Sequence, residues 1–214
     1  FVINKAEIDM SGISFIGEEL TYDKKQHNIT ISGSLPEDKN GNTVITDVIY
    51  TCDNKTFTGA TDAGTYNITA SFVYDETNYM AVESMEATLQ INCKSISLSS
   101  LEFADNPSNT FYYTGSNLDI PSKLIVKDND GTKLILNTDY TVSFSDIVSL
   151  GDSHTVTVTG INNYNGQKLG NYKIINKPSY LLVTKKDTSS SSERLTYNGQ
   201  IQRPSVIVTD DAGT

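Results

Sequence analysis

Thr65-Tyr66-Asn67-Ile68-Thr69-Ala70-Ser71-Phe72-Val73-Tyr74 decides the fold class. Tyr66, Ile68, Ala70, Phe72 and Tyr74 fall on one side of an extended chain, with Asn67, Thr69, Ser71 and Val73 opposite. A period of two marks a strand, because successive Cβ atoms point to opposite faces. The same alternation runs through His27–Ser32, through Met85, Ala87, Leu89 and Ile91, through Tyr140, Val142 and Phe144, and through Val156 and Val158. It fits sheets with one face buried and the other wet. Asn40-Gly41, Asp130-Gly131, Asn165-Gly166 and Asn198-Gly199 mark tight turns, where a positive φ costs little. Thr, Ser, Asn, Asp, Ile, Val and Tyr dominate the composition, and the residue blocks that make long helices are missing. The chain reads as all-β.

Working outward, the text repeats. Ile3-Asn4-Lys5, Ile91-Asn92-Cys93 and Ile175-Asn176-Lys177 each stand where one apolar segment ends and another begins. Each is followed by a second marker: Leu20-Thr21-Tyr22-Asp23, Phe111-Tyr112-Tyr113-Thr114 and Leu195-Thr196-Tyr197-Asn198. A third marker, Asn78-Tyr79 and Asn163-Tyr164, follows the long strands. Pro204-Ser205-Val206-Ile207-Val208-Thr209-Asp210 echoes Pro121-Ser122-Lys123-Leu124-Ile125-Val126-Lys127-Asp128 with a one-residue gap. The division expected is residues 1–92, 93–176 and 177–214: two complete modules and the first half of a third. Turns every 8–12 residues or so, in a module of about 85, predict a two-sheet sandwich. The junctions hold no long linker, which favours an end-to-end rod. The serine run within Thr188–Glu193 reads as a surface loop.

Charge removes several classes of function. Sixteen basic residues stand among 26 acids, a formal charge of −10 with a pI near 4.6. Nucleic acid and anionic lipid both demand clustered Lys and Arg, so neither is an expected partner. No apolar run approaches the ~20 residues that span a bilayer, so membrane insertion is not expected of this segment. No leader is visible, and the start at Phe1 reads as an interior piece.

The stretches Tyr22-Asp23, Ser32-Gly33-Ser34-Leu35-Pro36, Val48-Ile49-Tyr50 and Asp62-Ala63-Gly64-Thr65-Tyr66-Asn67-Ile68-Thr69-Ala70 resemble the mostly bacterial Ig-like (MBG) repeat. Asn137-Thr138-Asp139-Tyr140-Thr141-Val142 and Thr155–Gly166 resemble related repeats of Gram-positive surface proteins. The second module departs from the pattern, with Leu150-Gly151-Asp152-Ser153-His154 in place of the Ala-Gly-Thr-Tyr form. The resemblance implies tandem Ig-like β-sandwiches in a secreted or wall-anchored protein of the cell surface, used as stalk or adhesin.

Chemistry is sparse. No residues are assigned to catalysis or to a cofactor, and an enzyme is not expected. His27 and His154 each open a strand and read as exposed or edge side chains. Glu18-Glu19 and Asp210-Asp211 sit in turn-like text. Asp128 and Asp130, in Asp128-Asn129-Asp130-Gly131, are the candidates for a structural calcium ion. Lys133 at the sixth loop position and a strand-like Thr132–Leu136 favour a plain turn instead. Cys52 and Cys93 could form a disulfide or remain separate thiols. Lys5 and Asn92 are a conceivable pair for an intramolecular amide bond. Asn28, Asn54 and Asn67 begin glycosylation-type triplets of the kind an Asn- and Thr-rich text produces by chance.

Three readings compete. The first is a spacer whose partners are neighbouring repeats of the same polypeptide. The second is direct adhesion to a host protein or glycan through exposed aromatics, for which Tyr112, Tyr113, Tyr164 and Tyr180 are candidates. The third is a filament subunit that assembles by strand complementation at the half module.

Overall fold

The computed structural model describes residues 2–178, the strands Leu182–Lys185 and Val206–Thr209, and Gly199. The described residues are all-β, with short 3-10 turns at Ile96–Leu98 and Pro121–Lys123 and no α-helix. None of them forms a helix long and apolar enough to cross a membrane.

The first repeat contains β1 (Ile13–Ser14), β2 (Glu18–Thr21), β3 (Ser32–Gly33), β4 (Asp47–Cys52), β5 (Lys55–Thr56), β6 (Gly64–Val73) and β7 (Met85–Asn92). Its main sheet runs β2-β7-β6-β4-β5, while β1 pairs separately with β3. The alternation decides which side of β6 and β7 goes inward: Ile68, Leu89 and Ile91 are buried, and Asn67 and Thr88 face water. Ile29 and Ala60, from outside that sheet, close the core, with Phe15, Tyr50 and Phe57 packed around it. Full burial of an Ile or Leu side chain such as Ile68, Leu89 or Ile91 contributes roughly 1.5–3 kcal/mol.

The second repeat contains β8 (Lys94–Ser95), β9 (Ser100–Phe103), β10 (Thr110–Tyr112), β11 (Leu124–Lys127), β12 (Tyr140–Phe144), β13 (Gly151–Gly160), β14 (Tyr164–Asn165) and β15 (Gln167–Ile175). One sheet runs β10-β15-β13-β12; β11 pairs with β9, and β14 with β8. Phe103, Leu124 and Val126 from the β9–β11 pair meet Val156, Val158, Tyr172 and Ile174 from the four-stranded sheet in one core. Two sheets facing across one apolar layer make a sandwich. Further along, β16 (Leu182–Lys185) pairs antiparallel with β17 (Val206–Thr209), as β9 does with β11.

The two repeats share a wiring scheme. In each, an early short strand lies parallel to the last long strand, β2 on β7 and β10 on β15. The amide of Tyr22 donates to the carbonyl of Asn92, and that of Tyr113 to the carbonyl of Ile175, both at 2.8 Å. Lys24 and Gly115, two residues beyond each tyrosine, both have positive φ (70° and 79°). The register also corrects one sequence marker. Leu20 lies opposite Ile91, and Phe111 opposite Ile174, so Ile91 corresponds to Ile174 rather than to Ile175. Burial explains this: Ile91 and Ile174 are the inward members of their strands.

Candidate functional site: an interlocked joint

The turn Asp128-Asn129-Asp130-Gly131-Thr132 follows β11 directly. Gly131, at φ 85°, lets its amide reach the Asp128 carbonyl at 2.9 Å, and the Asp128 amide reaches the Thr132 carbonyl at 2.8 Å. The closed turn points the Asp128 carboxylate inward, where the residue is only 3% exposed. A buried carboxylate needs partners that satisfy its charge and lone pairs. Lys94 Nζ donates to Oδ2 at 2.9 Å, Tyr164 Oη donates to the same oxygen at 2.9 Å, and the Asn129 amide donates to Oδ1 at 2.7 Å. The further cation comes from the other repeat: Lys24 Nζ stands 3.1 Å from Asp128 Oδ2 and 2.9 Å from Asp130 Oδ2.

The electrostatics follow from this geometry. Burial alone would raise the Asp128 carboxyl. The hydrogen bonds from Lys94, Lys24, the Asn129 amide and Tyr164 outweigh it and hold the group below its ordinary value. The Thr132 amide and then Lys24 hold the Asp130 carboxyl well below its ordinary value. Burial opposes the charge on Lys24, yet its bonds to Asp130 and Asp128 raise it. The Tyr164 hydroxyl is pushed well above its usual range by burial and by donating to the anionic Asp128.

Around this ion cluster the two surfaces engage in two further ways. The Tyr22 ring packs against both cores and meets Tyr164 edge-on, with centroids 5.7 Å apart and planes at 79°. Asn163 is read from both ends of its amide: the Ala63 N–H donates to Oδ1 at 2.7 Å, and Nδ2 donates to Asp62 Oδ1 at 2.9 Å. The covalent connection runs alongside. Cys93 Sγ donates to the Asn162 carbonyl at 3.3 Å, the Lys94 amide donates to the Asn163 carbonyl at 2.9 Å, and β8 then pairs parallel with β14.

Several sequence expectations change here. Asp128 and Asp130 do form a turn, but their carboxylates are given to two lysine ammonium groups rather than arranged as a calcium cage. Among the described residues no group of three or more His, Cys, Asp or Glu is placed to hold a metal ion. Tyr164, a candidate exposed binding aromatic, is 3% exposed because Tyr22 covers it and its hydroxyl is spent on Asp128. Tyr112 and Tyr113 are exposed, at 48% and 42%; Tyr180 lies outside the described residues. Cys52 and Cys93 are both free thiols, Cys52 packed against the first core and Cys93 bonded to the Asn162 carbonyl beside the joint. Lys5 and Asn92 are not brought together: Lys5 Nζ donates to the Glu76 carbonyl and Asn92 Nδ2 to Glu19. His154 is not an exposed edge residue; its ring stacks on Tyr172 at 5.4 Å. His27 bonds through Nε2 to Asp23 Oδ1 at 2.8 Å. Sequence reasoning missed Lys24 and Lys94 altogether, since a lone lysine carries no signal of a partner that lies 106 positions away for Lys24 and Asp130, or 34 for Lys94 and Asp128.

No family model matches the chain, and no curated protein does. Among solved structures it is similar to the fibronectin(III)-like modules of Clostridium thermocellum CbhA, at 13% identity over 77% of this chain and 94% of that one, with a TM-score of 0.25. It is also similar to surface layer protein SbsC, domains 1–6, at 13% identity over 98% of this chain and 33% of that one, again with a TM-score of 0.25. The chain's own sheets and cores establish its class: all-β, in tandem Ig-like sandwich repeats.

Proposed function

We propose that this chain is a stiff structural spacer of a bacterial surface protein. In this reading residues 1–92 and 93–176 are two Ig-like units of the MBG type, and 177–214 opens a third. Their task is to hold a distal adhesive or functional part away from the cell, outside it or in its wall. The observation that carries the reading is the joint. A loose tether between sandwiches would leave their facing ends solvated, whereas here Lys24 of one repeat is paired with a buried carboxylate of the next. Domains move relative to each other by default unless their interface holds them; here the Tyr22 ring packed against both cores and the Lys24–Asp128 pair supply that hold, across a junction with almost no linker.

Distance measurement tests it. Spin labels at Thr77→Cys and Ser153→Cys, with Cys52 and Cys93 replaced by Ser, report the separation of the two repeats. The expected result is one narrow distance distribution, broadened severalfold by Tyr22→Ala with Lys24→Ala. A broad distribution in the chain with Tyr22 and Lys24 intact would contradict the spacer reading. Exposed Tyr112 and Tyr113, close in sequence on β10 and just after it, favour adhesion as the second reading. Tyr112→Ala with Tyr113→Ala would then abolish binding to a glycan or matrix array.

A further inference from the structure

We infer that the open end of the first repeat is a second socket of the same build, and that its occupant is the Tyr-x-Lys end of a repeat preceding it in the same polypeptide. The inference rests on the spacer reading and specifies its partner surface.

An occupied socket in the second repeat and an open one in the first match residue by residue. In the occupied socket the Lys94 amide donates to the Asn163 carbonyl, and Lys94 lies parallel to Tyr164. In the first repeat the Ala6 amide donates to the Asn78 carbonyl, also at 2.9 Å, and Ala6 bridges Tyr79 in parallel. The turns match as well. The Asp38 amide donates to the Asn42 carbonyl at 2.7 Å and the Gly41 amide to the Asp38 carbonyl at 2.9 Å, as Asp128, Thr132 and Gly131 do in the second repeat. Gly41 and Gly131 share the left-handed conformation, with φ 79° and 85°. Ala6, Asp38, Asn40 and Tyr79 therefore stand where Lys94, Asp128, Asp130 and Tyr164 stand around the inserted Tyr22 and Lys24.

What differs is the filling. At the first repeat these four residues line an open cavity of about 700 Å³. Glu7, Asp9 and Glu37 add negative charge to its wall and Lys39 a single positive one, so the lining stays acidic on balance. Ala6 replaces the lysine that half-neutralises Asp128, so this socket brings no cation at that position. The Asp38 carboxylate accepts bonds from the Asn40 and Asn42 amides and from Asn42 Nδ2, which keeps it ionised and turned back on its own loop. An occupant must therefore offer an aromatic ring to lie against Tyr79 and a positive charge for Asp38. Tyr22-Asp23-Lys24 offers both, with Lys24 in the left-handed conformation that presents its side chain to Asp128 and Asp130. The interface is heterologous, one end of a unit against the opposite end of the next, and so it propagates along a line instead of closing.

The test extends the full chain by one unit in the register of the existing junction, placing residues 1–92 directly ahead of 5–214. Amide hydrogen exchange is followed at Ala6, Gly41, Val44 and Met80 of the original first repeat. The inference expects these amides to slow about tenfold or more on extension. Asp38→Lys in the original repeat, or Lys24→Ala in the added copy alone, returns them to their former rates. Protection of β6 and β7 amides in both copies shows that both are folded. Unchanged exchange at the four positions, with those strands protected, overturns the inference. If the Asp128 joint meanwhile stays protected, the spacer reading survives; if the Asp128 joint also exchanges freely, that reading fails too. Concentration-dependent oligomers of the unextended chain, lost on Asp38→Lys, would assign the socket to a second copy and overturn the inference as stated.

Discussion

At the scale of the residue, Asp128 organises the joint. Replacing it with Ala removes a buried anion but leaves Lys24 and Lys94 partly exposed, able to rehydrate. The loss should therefore fall below that of a fully buried pair, at about 2–3 kcal/mol in a urea titration. The pH dependence has a definite sign. A carboxyl held below its ordinary value in the folded state stabilises fully above that ordinary value, near 4, and the contribution fades as pH falls through the lowered one. Unaltered protein should thus lose stability on acidification below about pH 4 more steeply than Asp128→Ala. Equal slopes would show that the carboxylate carries no such role. Lys24→Ala, on the more exposed partner, should cost only about 0.5–1 kcal/mol while loosening the joint. The turn at Asp128 was legible because Asp130-Gly131 is a local signal. Its ion pairs were not, because Lys24 lies 106 positions before Asp130. Tyr164 misled for the same reason: the ring that buries it belongs to another repeat.

Among the elements, the parallel pairing of β2 with β7 matters most to a load-bearing part. An early strand that runs parallel to the last one is pulled in shear, so its several hydrogen bonds must fail together. Gly17, at the entry to β2, passes so close to β7 that an added Cβ would lie 2.5 Å from the Thr88 carbonyl oxygen. Gly17→Val should detach β2, cost about 1–3 kcal/mol, and lower the unfolding force of the first repeat alone in single-molecule stretching. An unchanged force would remove β2 from the mechanical account. Leu89→Ala, deep in the same core, should cost about 3 kcal/mol without altering the second repeat. Strands β6, β7, β12 and β13 were readable from alternation alone, and their buried faces are those the period of two assigns. The chemical likeness of Ile91-Asn92 to Ile175-Asn176 was less reliable than burial phase. Matching letters set the repeats one residue out of step, which reverses faces in a strand.

For the molecule as a whole, repetition was the strongest thing written in the sequence, and the shared wiring of the two sheets is its structural expression. What repetition could not disclose was how successive units meet. That depends on which side chains happen to occupy matching sites at opposite ends: lysine or alanine beside the turn, lysine or glycine after the tyrosine. The formal charge of −10 bears on the same point. In the proposed spacer, excess acid would keep neighbouring chains apart, while Lys24 of one repeat pairs with Asp128 of the next at the joint. If the joint holds as proposed, the two repeats tumble as one body. Residual dipolar couplings of the backbone amides, collected for both repeats in a single weakly aligned sample, test it most directly. One alignment tensor is expected to fit the amides of β6, β7, β13 and β15 together. Two tensors of different magnitude and orientation would contradict it.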